Sequence, residues 1–368
     1  MMTNRFLDLC VPGVANLKPY VPGKPVTELE RELGISDTIK LASNENPLGP
    51  PKAAKAIIHG QLDGLAFYPD GSGFALTNAL AEKHNLAPSC ITLGNGSNDV
   101  LDMIGRTFLE AGKEAIFSEY AFAVYPIVTQ AVGATAKIAR SKDYGHDLDA
   151  MLQLVNDNTR VIFIANPNNP TGTWLSKDAL QGFLSQVPEH IIVVIDEAYI
   201  EYVQKDEYPD ATHWLSEYDN LIVTRTFSKA YGLAALRVGY CLSHPDVANL
   251  LNRVRQPFNV NSLAQAAAQA ALDDFAHIRL SVEYNTQGLA QYEAAFSEMG
   301  LEWIPSVGNF ITVNLGRNAS EVDKVMLSKG VITRPVANYG LPDHLRITVG
   351  LPEENERCIA ALKEVLAS

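Results

Sequence analysis

A lysine in the stretch TRTFSKAYGLAALRVGY, residues 224–240, has neighbours that could make its amine reactive. Lys229 follows Ser228, precedes a turn of small residues, and has Arg237 eight positions further on. The apolar run LIV at 221–223 predicts a buried strand that leads into this stretch. Desolvation and a neighbouring cation both lower the pKa of a lysine. A neutral amine is a nucleophile suited to Schiff-base chemistry, although a lysine judged by itself is most often a surface residue.

Polar residues at three other predicted strand ends could share a site with this lysine. The segment GNGSND at 94–99 places two glycines and a serine before a helix, where backbone N–H groups favour an anion such as phosphate. In NPNNPTG at 166–172, two prolines fix a loop from which Asn169 can point into a cleft. Asp196 follows the apolar run IIVVI, and Tyr199 comes three residues later. Each group also has an ordinary interpretation, as a plain turn, a Pro/Asn turn or a helix cap.

An alternation of predicted strands and helices must position these residues. The strands EAIFS, RVIFIANP, HIIVVIDEAY and LIVTRTFS are interleaved with helices such as NDVLDMIGRTFLEAG and SKDALQGFLSQV. Such an alternation predicts an α/β fold with a largely parallel sheet. Ligands of these folds lie at the carboxyl ends of the strands, which is where the polar groups above are found.

The chain is expected to form two domains and an N-terminal arm. The first part is rich in Pro and Gly, as in VPGVANLKPYVPGKP, and is interpreted as an arm over residues 1–45 that adds to the small domain. A large domain that holds the sheet follows at 46–255. The pattern then changes to two helices, the strands FITVNL and RITVG with a helix between them, and a terminal helix. This change predicts a smaller α+β domain at 256–368.

Composition favours a soluble enzyme and argues against several other classes of protein. The 368 residues are 47% hydrophobic and 19% charged, which is enough apolar sequence for a large core. A net charge of −13 argues against a nucleic-acid or membrane partner, and an anionic small substrate would need local arginines. No apolar stretch approaches the ~18 residues of a membrane span, and the N-terminus lacks a signal-peptide pattern. The four cysteines are far apart and fit neither disulfides nor zinc, so we expect a cytoplasmic protein without a metal.

Taken together and in this order, the motifs resemble those of the fold type I pyridoxal-phosphate (PLP) aminotransferases. The details look like the histidinol-phosphate aminotransferase family, on LKPYVPGKP at 17–25, LASNENPLGPP at 41–51, FYPDGSG at 67–73, IDEAYIEY at 195–202 and the stretch around Lys229. The resemblance covers essentially the whole chain, and the joint match is specific although each piece alone is not. It implies an aminotransferase of histidine biosynthesis, which converts L-histidinol phosphate and 2-oxoglutarate to imidazole acetol phosphate and L-glutamate by a ping-pong reaction.

The resemblance also assigns roles around the cofactor ring. Lys229 would bind PLP covalently and later move a proton between the substrate carbon and the cofactor. Asp196 would pair with the pyridine nitrogen, so that the ring stays an electron sink. Asn169 and Tyr199 would hydrogen-bond the ring oxygen. Phe122 in SEYAFAVY would stack on the ring, at a position where other family members often have Tyr.

Further residues would bind anionic groups according to the same resemblance. Those expected at the cofactor phosphate are Gly96, Ser97 and the nearby Asn98, together with Thr226, Ser228 and Arg237. Tyr68 would reach the phosphate of the neighbouring subunit, which implies a homodimer with shared active sites. Arg346, in LRITVG, would bind the anionic end of the substrate, with Arg334 and Tyr20 as helpers.

Four other functions compete with this interpretation. Aromatic amino-acid aminotransferases and threonine-phosphate decarboxylases resemble this chain in much of the motif set, and the residues that discriminate them lie in loops. Product analysis, CO2 against glutamate, separates the decarboxylase. A non-catalytic module of the same fold would be expected to lose Lys229 or Asp196, and both are present. A nicotinamide dehydrogenase would need the glycine fingerprint G-x-G-x-x-G, whose last position is Asp99 here.

Overall fold

The computed structural model describes residues 6–20 and 22–367, so residues 1–5 and 21 of the predicted arm and the last residue lie outside the described range. No helix among the described residues is long and apolar enough to cross a membrane. In chain order the strands are β1 (Ile39–Lys40), β2 (Ile91–Gly94), β3 (Glu114–Ser118), β4 (Thr135–Ala139), β5 (Ser141–Lys142), β6 (Gly145–His146), β7 (Thr159–Ala165), β8 (Ile192–Asp196), β9 (Leu221–Thr226), β10 (Gly239–Ser243), β11 (Glu302–Ile304), β12 (Phe310–Asn314), β13 (Val331–Ile332), β14 (Arg334–Val336) and β15 (Leu341–Thr348). The α-helices are α1 (Pro12–Ala15), α2 (Val26–Leu33), α3 (Lys52–Gln61), α4 (Phe74–His84), α5 (Ser97–Phe108), α6 (Val124–Ala131), α7 (Leu148–Gln153), α8 (Lys177–Leu184), α9 (Pro245–Val254), α10 (Ser262–Leu272), α11 (Phe275–Met299), α12 (Ala319–Ser328) and α13 (Pro352–Ala367).

A seven-stranded sheet with the strand order β2-β10-β9-β8-β7-β3-β4 forms the centre of the larger part of the molecule. Neighbouring strands are parallel except at β10, which runs antiparallel to both β2 and β9. The strands β7, β8 and β9 are apolar runs that are almost entirely buried, as expected for strands covered by helices on both faces. The predicted α/β fold with a largely parallel sheet is confirmed.

Two apolar clusters hold helices against the two faces of this sheet. Ile162 and Ile164 of β7 belong to the cluster that contains residues of α3, α4, α7, α8 and α10. Val161 and Phe163 of the same strand belong to the other cluster, with residues of α5, α6 and α9. This split follows from the two-residue side-chain period of a strand. The sheet is therefore a doubly covered layer that can hold the residues at its strand ends in fixed positions.

The register of β7, β8 and β9 brings polar groups to one edge of the sheet. Ala165 pairs with Asp196, and Asp196 pairs with Thr224 near the end of β9. The loop after Ala165, the carboxylate of Asp196 and the segment that carries Lys229 therefore begin side by side. Because parallel strands bring their carboxyl ends to the same edge, residues far apart in sequence meet in one place.

The smaller part contains an antiparallel sheet with the order β11-β12-β15-β14, packed against α11, α12 and α13. The N-terminal arm contacts this part, because β1 pairs in parallel with β13 and Leu29 of α2 packs with Ile332. The domain limits at residues 45 and 255 remain predictions. Helix α10, which follows the second limit, packs into the apolar cluster of the seven-stranded sheet.

Candidate active site

A cleft of about 560 Å³ opens at the carboxyl ends of β7, β8 and β9, and Arg346 of β15 closes one side of it. Twelve of the fifteen residues predicted for the site line this cleft: Tyr20, Ser97, Asn98, Phe122, Asn169, Asp196, Tyr199, Thr226, Ser228, Lys229, Arg237 and Arg346. Gly96 lies directly before Ser97 at the same wall. Arg334 and Tyr68 are the two predicted residues that lie elsewhere, at the cleft edge and on the outer surface respectively.

The amine of Lys229 lies inside the cleft and contacts the N-terminal segment. Its Nζ donates a hydrogen bond of 2.9 Å to the backbone carbonyl of Ser43 and lies 5.7 Å from the centre of the Tyr199 ring. Burial lowers the pKa of Lys229 to about 7, and the positive charge of Arg346 adds to this effect. Arg237, the cation named from the sequence, makes a smaller contribution to the same shift. At neutral pH the amine is therefore partly in its nucleophilic form.

The carboxylate of Asp196 is buried and only half paired. Asp196 is 5% exposed, and its Oδ2 accepts a hydrogen bond of 2.9 Å from the hydroxyl of Tyr125. The other oxygen, Oδ1, is buried and makes no close hydrogen bond with the described residues, although the Thr224 hydroxyl and the Ala198 backbone N–H lie near the carboxylate and act to lower its pKa. Burial raises the pKa of Asp196 above its ordinary value. A buried carboxylate oxygen calls for a donor, and a protonated ring nitrogen in the cleft would supply one.

Tyr125, which fixes the other oxygen of Asp196, is completely buried in α6. Its ring stacks on the ring of Phe163, with 4.8 Å between the ring centres. The rings of Tyr125 and Phe122 meet edge to face, with 5.8 Å between the ring centres. Phe122 thus packs against Tyr125 on one side and lines the cleft on the other. This packing places a flat aromatic face next to the carboxylate, as a planar heteroaromatic ligand requires.

Tyr199 and Asn169 present a hydroxyl and an amide beside the lysine. The hydroxyl of Tyr199 accepts a hydrogen bond of 2.9 Å from Nδ2 of Asn44. Burial raises the pKa of Tyr199 to about 12, so that the hydroxyl keeps its proton at neutral pH. Oδ1 of Asn169 accepts a hydrogen bond of 2.5 Å from Arg346, which leaves the amide NH2 of Asn169 available as a donor.

The N-terminus of α5 forms an anion-binding corner with Arg237. Gly96 has a φ of +80°, and a Cβ atom there would lie 2.4 Å from Nη2 of Arg237. Nη1 of the same arginine is 3.4 Å from Oγ of Ser228, whose backbone N–H donates to Oγ1 of Thr226 at 3.1 Å. Helix dipole, free N–H groups, hydroxyls and a guanidinium converge here, which suits a phosphate dianion.

A second cationic group lies on the opposite side of the cleft. Arg346 is buried, donates a hydrogen bond of 2.7 Å from Nη2 to the carbonyl of Ala42, and has an Nε atom without a partner among the described residues. Its guanidinium is 5.4 Å from the centre of the Phe310 ring. Arg334 stacks on Tyr20 at 5.7 Å at the edge of this region. The arrangement offers positive charge to the anionic end of a substrate.

Tyr68 does not reach the cleft of its own chain. It is 83% exposed, and its ring stacks on Phe258 with the centres 4.7 Å apart. Other large apolar side chains of this stretch are also exposed, among them Leu62, Leu65, Phe67 and Phe74. A surface of this kind is typical of a region that another protein chain covers.

Two parts of the cleft were not assigned from the sequence. The cleft is also lined by Ser43, Asn44 and Glu45. The motif at 41–51 that contains them indicates the family resemblance but gives these residues no role. Tyr125, which lies behind the cleft, has no role assigned from the sequence either. No periodicity links residue 44 to residue 199 or residue 125 to residue 196, so the contacts depend on tertiary packing. A polar residue inside an otherwise apolar helix face was the available signal for Tyr125.

The residues of the cleft fit PLP on three independent observations. The unpaired Oδ1 of Asp196 matches a protonated pyridine nitrogen. Because Gly96 has no Cβ, the guanidinium of Arg237 fits directly against the N-terminus of α5, where both could contact a phosphate. The Lys229 amine lies in the same cleft as both groups. The cleft therefore has a nucleophile, a partner for a ring nitrogen and a phosphate corner.

Comparisons with known proteins add to the geometry. The chain matches the family of class I and II aminotransferases over residues 36–362. It is 60% identical to histidinol-phosphate aminotransferase 2 of Pseudomonas fluorescens, with 100% of both chains covered. It is 58% identical to histidinol-phosphate aminotransferase 2 of Pseudomonas aeruginosa, over 98% of this chain and 99% of that protein. Its fold is similar to the crystal structure of histidinol-phosphate aminotransferase from Sinorhizobium meliloti in complex with pyridoxal-5'-phosphate, with a TM-score of 0.88, 29% identity and 97% of each chain covered.

Proposed function

This chain belongs to the histidinol-phosphate aminotransferases, within the class I and II aminotransferase family, and we propose from that membership how its cleft carries out the reaction. The enzyme uses PLP to transfer the amino group of L-histidinol phosphate to 2-oxoglutarate in histidine biosynthesis, with imidazole acetol phosphate and L-glutamate as products. When bound, PLP supplies an electrophilic carbon and an electron-accepting ring that holds the amino group between the two half reactions. The observation that carries the assignment of roles is the meeting of Lys229, Asp196 and two cationic corners in one cleft.

Lys229 binds the cofactor and then acts as the acid–base group in this proposal. The substrate amine would displace the Lys229 amine. The free Nζ would then accept the proton from the substrate carbon that carries the amino group, and would give a proton back as a general acid. A pKa of about 7 for Lys229 supports this role, because a base works best when its pKa is near the working pH.

Asp196, Tyr199, Asn169 and Phe122 hold the ring of the cofactor in this proposal. Oδ1 of Asp196 would accept a hydrogen bond from the ring nitrogen and keep it protonated, while Tyr125 occupies Oδ2. Asn169 and Tyr199 would donate hydrogen bonds to the ring oxygen. Phe122 would stack on the ring, and Ser97, Thr226, Ser228 and Arg237 would bind the phosphate, so that these residues together would orient the cofactor.

Arg346 binds the anionic end of each substrate in this proposal. Both L-histidinol phosphate and 2-oxoglutarate carry a negative group that lies away from the reacting carbon. The unpartnered Nε of Arg346 supports this role, since it leaves a buried donor for such a group. Arg334 and Tyr20 lie at the edge of the same region and would help to enclose the substrate.

We also propose that two copies of the chain form a homodimer with shared active sites, and that the enzyme works in the cytoplasm. Exposure of Tyr68 and the apolar residues around it supports the dimer. Tyr68 would then reach the phosphate corner of the partner subunit. Four cysteines without a disulfide among the described residues support a reducing compartment.

A half reaction followed by absorption spectroscopy tests the proposed function. Purified protein loaded with PLP is mixed with L-histidinol phosphate without a keto acid, and in parallel with L-phenylalanine. We expect L-histidinol phosphate to abolish the visible band of the lysine-bound cofactor at low concentration, with little response to L-phenylalanine. A strong response to L-phenylalanine alone would move the substrate to aromatic amino acids. A band that neither amine abolishes would contradict the proposed transamination.

A further inference from the structure

Three consecutive residues of the N-terminal segment contact three groups of the cleft. The carbonyl of Ala42 accepts from Arg346 at 2.7 Å, and the carbonyl of Ser43 accepts from Nζ of Lys229 at 2.9 Å. The third residue, Asn44, donates from Nδ2 to the hydroxyl oxygen of Tyr199 at 2.9 Å. The first two contacts use the backbone. The contact of Asn44 is the one that depends on the side chain, so a substitution can test it separately.

The amide of Asn44 has its orientation fixed by the small sheet. Its Oδ1 accepts a hydrogen bond of 3.1 Å from the hydroxyl of Thr348, and that hydroxyl accepts from the Asn44 backbone N–H at 2.9 Å. The carbonyl of Asn44 accepts from Asn309 at 3.0 Å. Because Oδ1 is occupied and the residue is only 1% exposed, its NH2 group must face Tyr199.

We propose that Asn44 is a positioning residue that aims the hydroxyl proton of Tyr199 at the ring oxygen of PLP. A tyrosine hydroxyl has a single hydrogen to donate, and it can also accept hydrogen bonds. Since Asn44 donates to the hydroxyl oxygen, the hydrogen of Tyr199 must point elsewhere, and the open direction is the cleft. The inference rests on the role proposed above for Tyr199. It adds a residue, Asn44, that would not itself touch the cofactor in this role.

Other charged and titratable groups face Tyr199 and must stay unchanged in a test. Arg346, Asp196 and Tyr339 act on it electrostatically, and the amine of Lys229 lies over its ring. Asn44 is neutral, so its removal leaves these charges as they are. Any change at the cofactor would then report the lost hydrogen bond.

Asn44→Gly is the suitable variant because of the local backbone. Asn44 has a φ of 55°, a left-handed conformation that glycine adopts without strain. The substitution therefore removes the amide and keeps the two backbone contacts of Ala42 and Ser43. Asn85→Gly is the matched control, because Asn85 also has a left-handed φ of 52° but is an exposed residue at the end of α4.

The experiment is a pH titration of the visible absorption of the PLP-loaded protein. A hydrogen bond at the ring oxygen makes the link between Lys229 and the cofactor less basic, so a weaker bond moves the midpoint to higher pH. We expect Asn44→Gly to raise the midpoint by about half a pH unit, and Asn85→Gly to leave it unchanged. Thr348→Val, which removes the group that orients Asn44, should cause a smaller shift in the same direction.

Tyr199→Phe separates failure of this inference from failure of the proposed function. Loss of the hydroxyl should give a larger rise of the midpoint than Asn44→Gly. If Tyr199→Phe shifts the midpoint while Asn44→Gly and Thr348→Val match the wild type, the role of Asn44 is wrong and that of Tyr199 stands. If Tyr199→Phe leaves the midpoint unchanged as well, the proposed role of Tyr199 is wrong and the inference falls with it.

Discussion

At position 229, burial and the guanidinium of Arg346 both disfavour the ammonium form of lysine, and its pKa falls to about 7. Glu45 acts in the opposite direction. Arg346 would thus have two roles if it binds the anionic end of the substrate as proposed, since it also lowers the pKa of Lys229. Binding of an anion to Arg346 would weaken its field at Lys229. The proposed roles would therefore couple substrate binding to the basicity of the lysine.

This coupling predicts how fast the cofactor-free protein reacts with an aldehyde at different pH values. An amine attacks only when neutral, so the rate of reaction with pyridoxal should rise with pH, reach half of its maximum at about pH 7 and level off at higher pH. Arg346→Met should move this midpoint to higher pH, because the neighbouring positive charge is lost. Arg317→Met is the control, since Arg317 is exposed and follows β12 on the small sheet.

Stopped-flow absorption at a series of pH values measures both midpoints. A wild-type midpoint near the ordinary lysine value of 10.5 would contradict the lowered pKa of Lys229. Equal midpoints for Arg346→Met and Arg317→Met would contradict the part played by Arg346. Pyridoxal is used in place of PLP because it has no phosphate for the anion corner to bind.

The place of some residues in the site could be predicted from the sequence, and that of others could not. Lys229 and Asp196 could be predicted because each follows an apolar strand, and the order of the motifs fits one family. Asn44 and Tyr125 could not be predicted, because their partners are far away in the chain and only packing brings them together. The sequence also pointed to Arg237 as the cation near the lysine, whereas Arg346 of the small sheet has the larger effect.

At the scale of elements, the N-terminus of α5 can lie against the guanidinium of Arg237 only because Gly96 precedes it. The φ of +80° turns the chain from β2 into the helix, and the missing Cβ leaves room for the guanidinium of Arg237. Asp99, which interrupts the dinucleotide fingerprint, points away and accepts hydrogen bonds from Asn95 and Asn259. The turn therefore suits the proposed phosphate site, in which the anion would lie against an arginine.

Gly96→Ala tests this geometry, with Gly112→Ala as its control. Both glycines have a positive φ, of +80° and +86°, but a Cβ at Gly112 would meet nothing within 4 Å. Both substitutions place a side chain on a backbone with positive φ, whereas only Gly96→Ala displaces Arg237. We expect Gly96→Ala to weaken PLP binding by about tenfold or more and Gly112→Ala to leave it nearly unchanged.

Titration of the cofactor-free protein with PLP gives the dissociation constants for this comparison. The melting temperature of each cofactor-free variant measures the loss of stability that backbone strain causes. If both variants bind PLP as tightly as the wild type, the N-terminus of α5 is not the phosphate site. Equal weakening in both variants would mean that backbone strain, and not the position of Arg237, determines the affinity.

Strand alternation explains another part of the site that the sequence made predictable. Asp196 and Glu197 are adjacent, yet only Asp196 lines the cleft. Glu197 pairs with Arg225 at 2.7 Å, and the same arginine contacts Asp210 at 2.6 Å. Glu197 directly follows β8 and continues its pairing with β9, since its N–H donates to the carbonyl of Thr224 at 2.9 Å. Neighbouring residues of an extended chain point to opposite faces, so this separation follows from the pattern. The pattern does not predict that Asp210 joins the ion pair of Glu197 and Arg225, because Asp210 lies in the loop segment between β8 and β9.

At the scale of the whole molecule, the cleft is bounded by three parts of the chain. The seven-stranded sheet supplies Lys229 and Asp196, the small sheet supplies Arg346, and the N-terminal segment lies between them. The α/β and α+β character of the two parts could be predicted from their element order. The packing of the N-terminal arm could not be predicted, because β1 pairs with β13, which lies almost 300 residues later in the chain.

The proposed shared active site predicts complementation between two inactive variants. Lys229→Ala lacks the amine and Tyr68→Ala lacks the residue that the partner subunit would receive. In a mixed dimer, the site with an intact lysine would receive an intact tyrosine, so about one site in four should be whole after full exchange. Recovery of activity on mixing, with sedimentation to verify the dimer, checks this. A monomer in solution, or no recovery despite exchange, would contradict the shared site.

The most direct test of the central claim is to identify the lysine that binds the cofactor. The PLP-loaded protein is reduced with borohydride, which makes the link to the lysine permanent, then digested and analysed by mass spectrometry. The cofactor mass should appear on the peptide that contains Lys229, and it should be absent from Lys229→Ala. Labelling of a different lysine, or equal labelling of the wild type and Lys229→Ala, would contradict the account of this cleft as the active site.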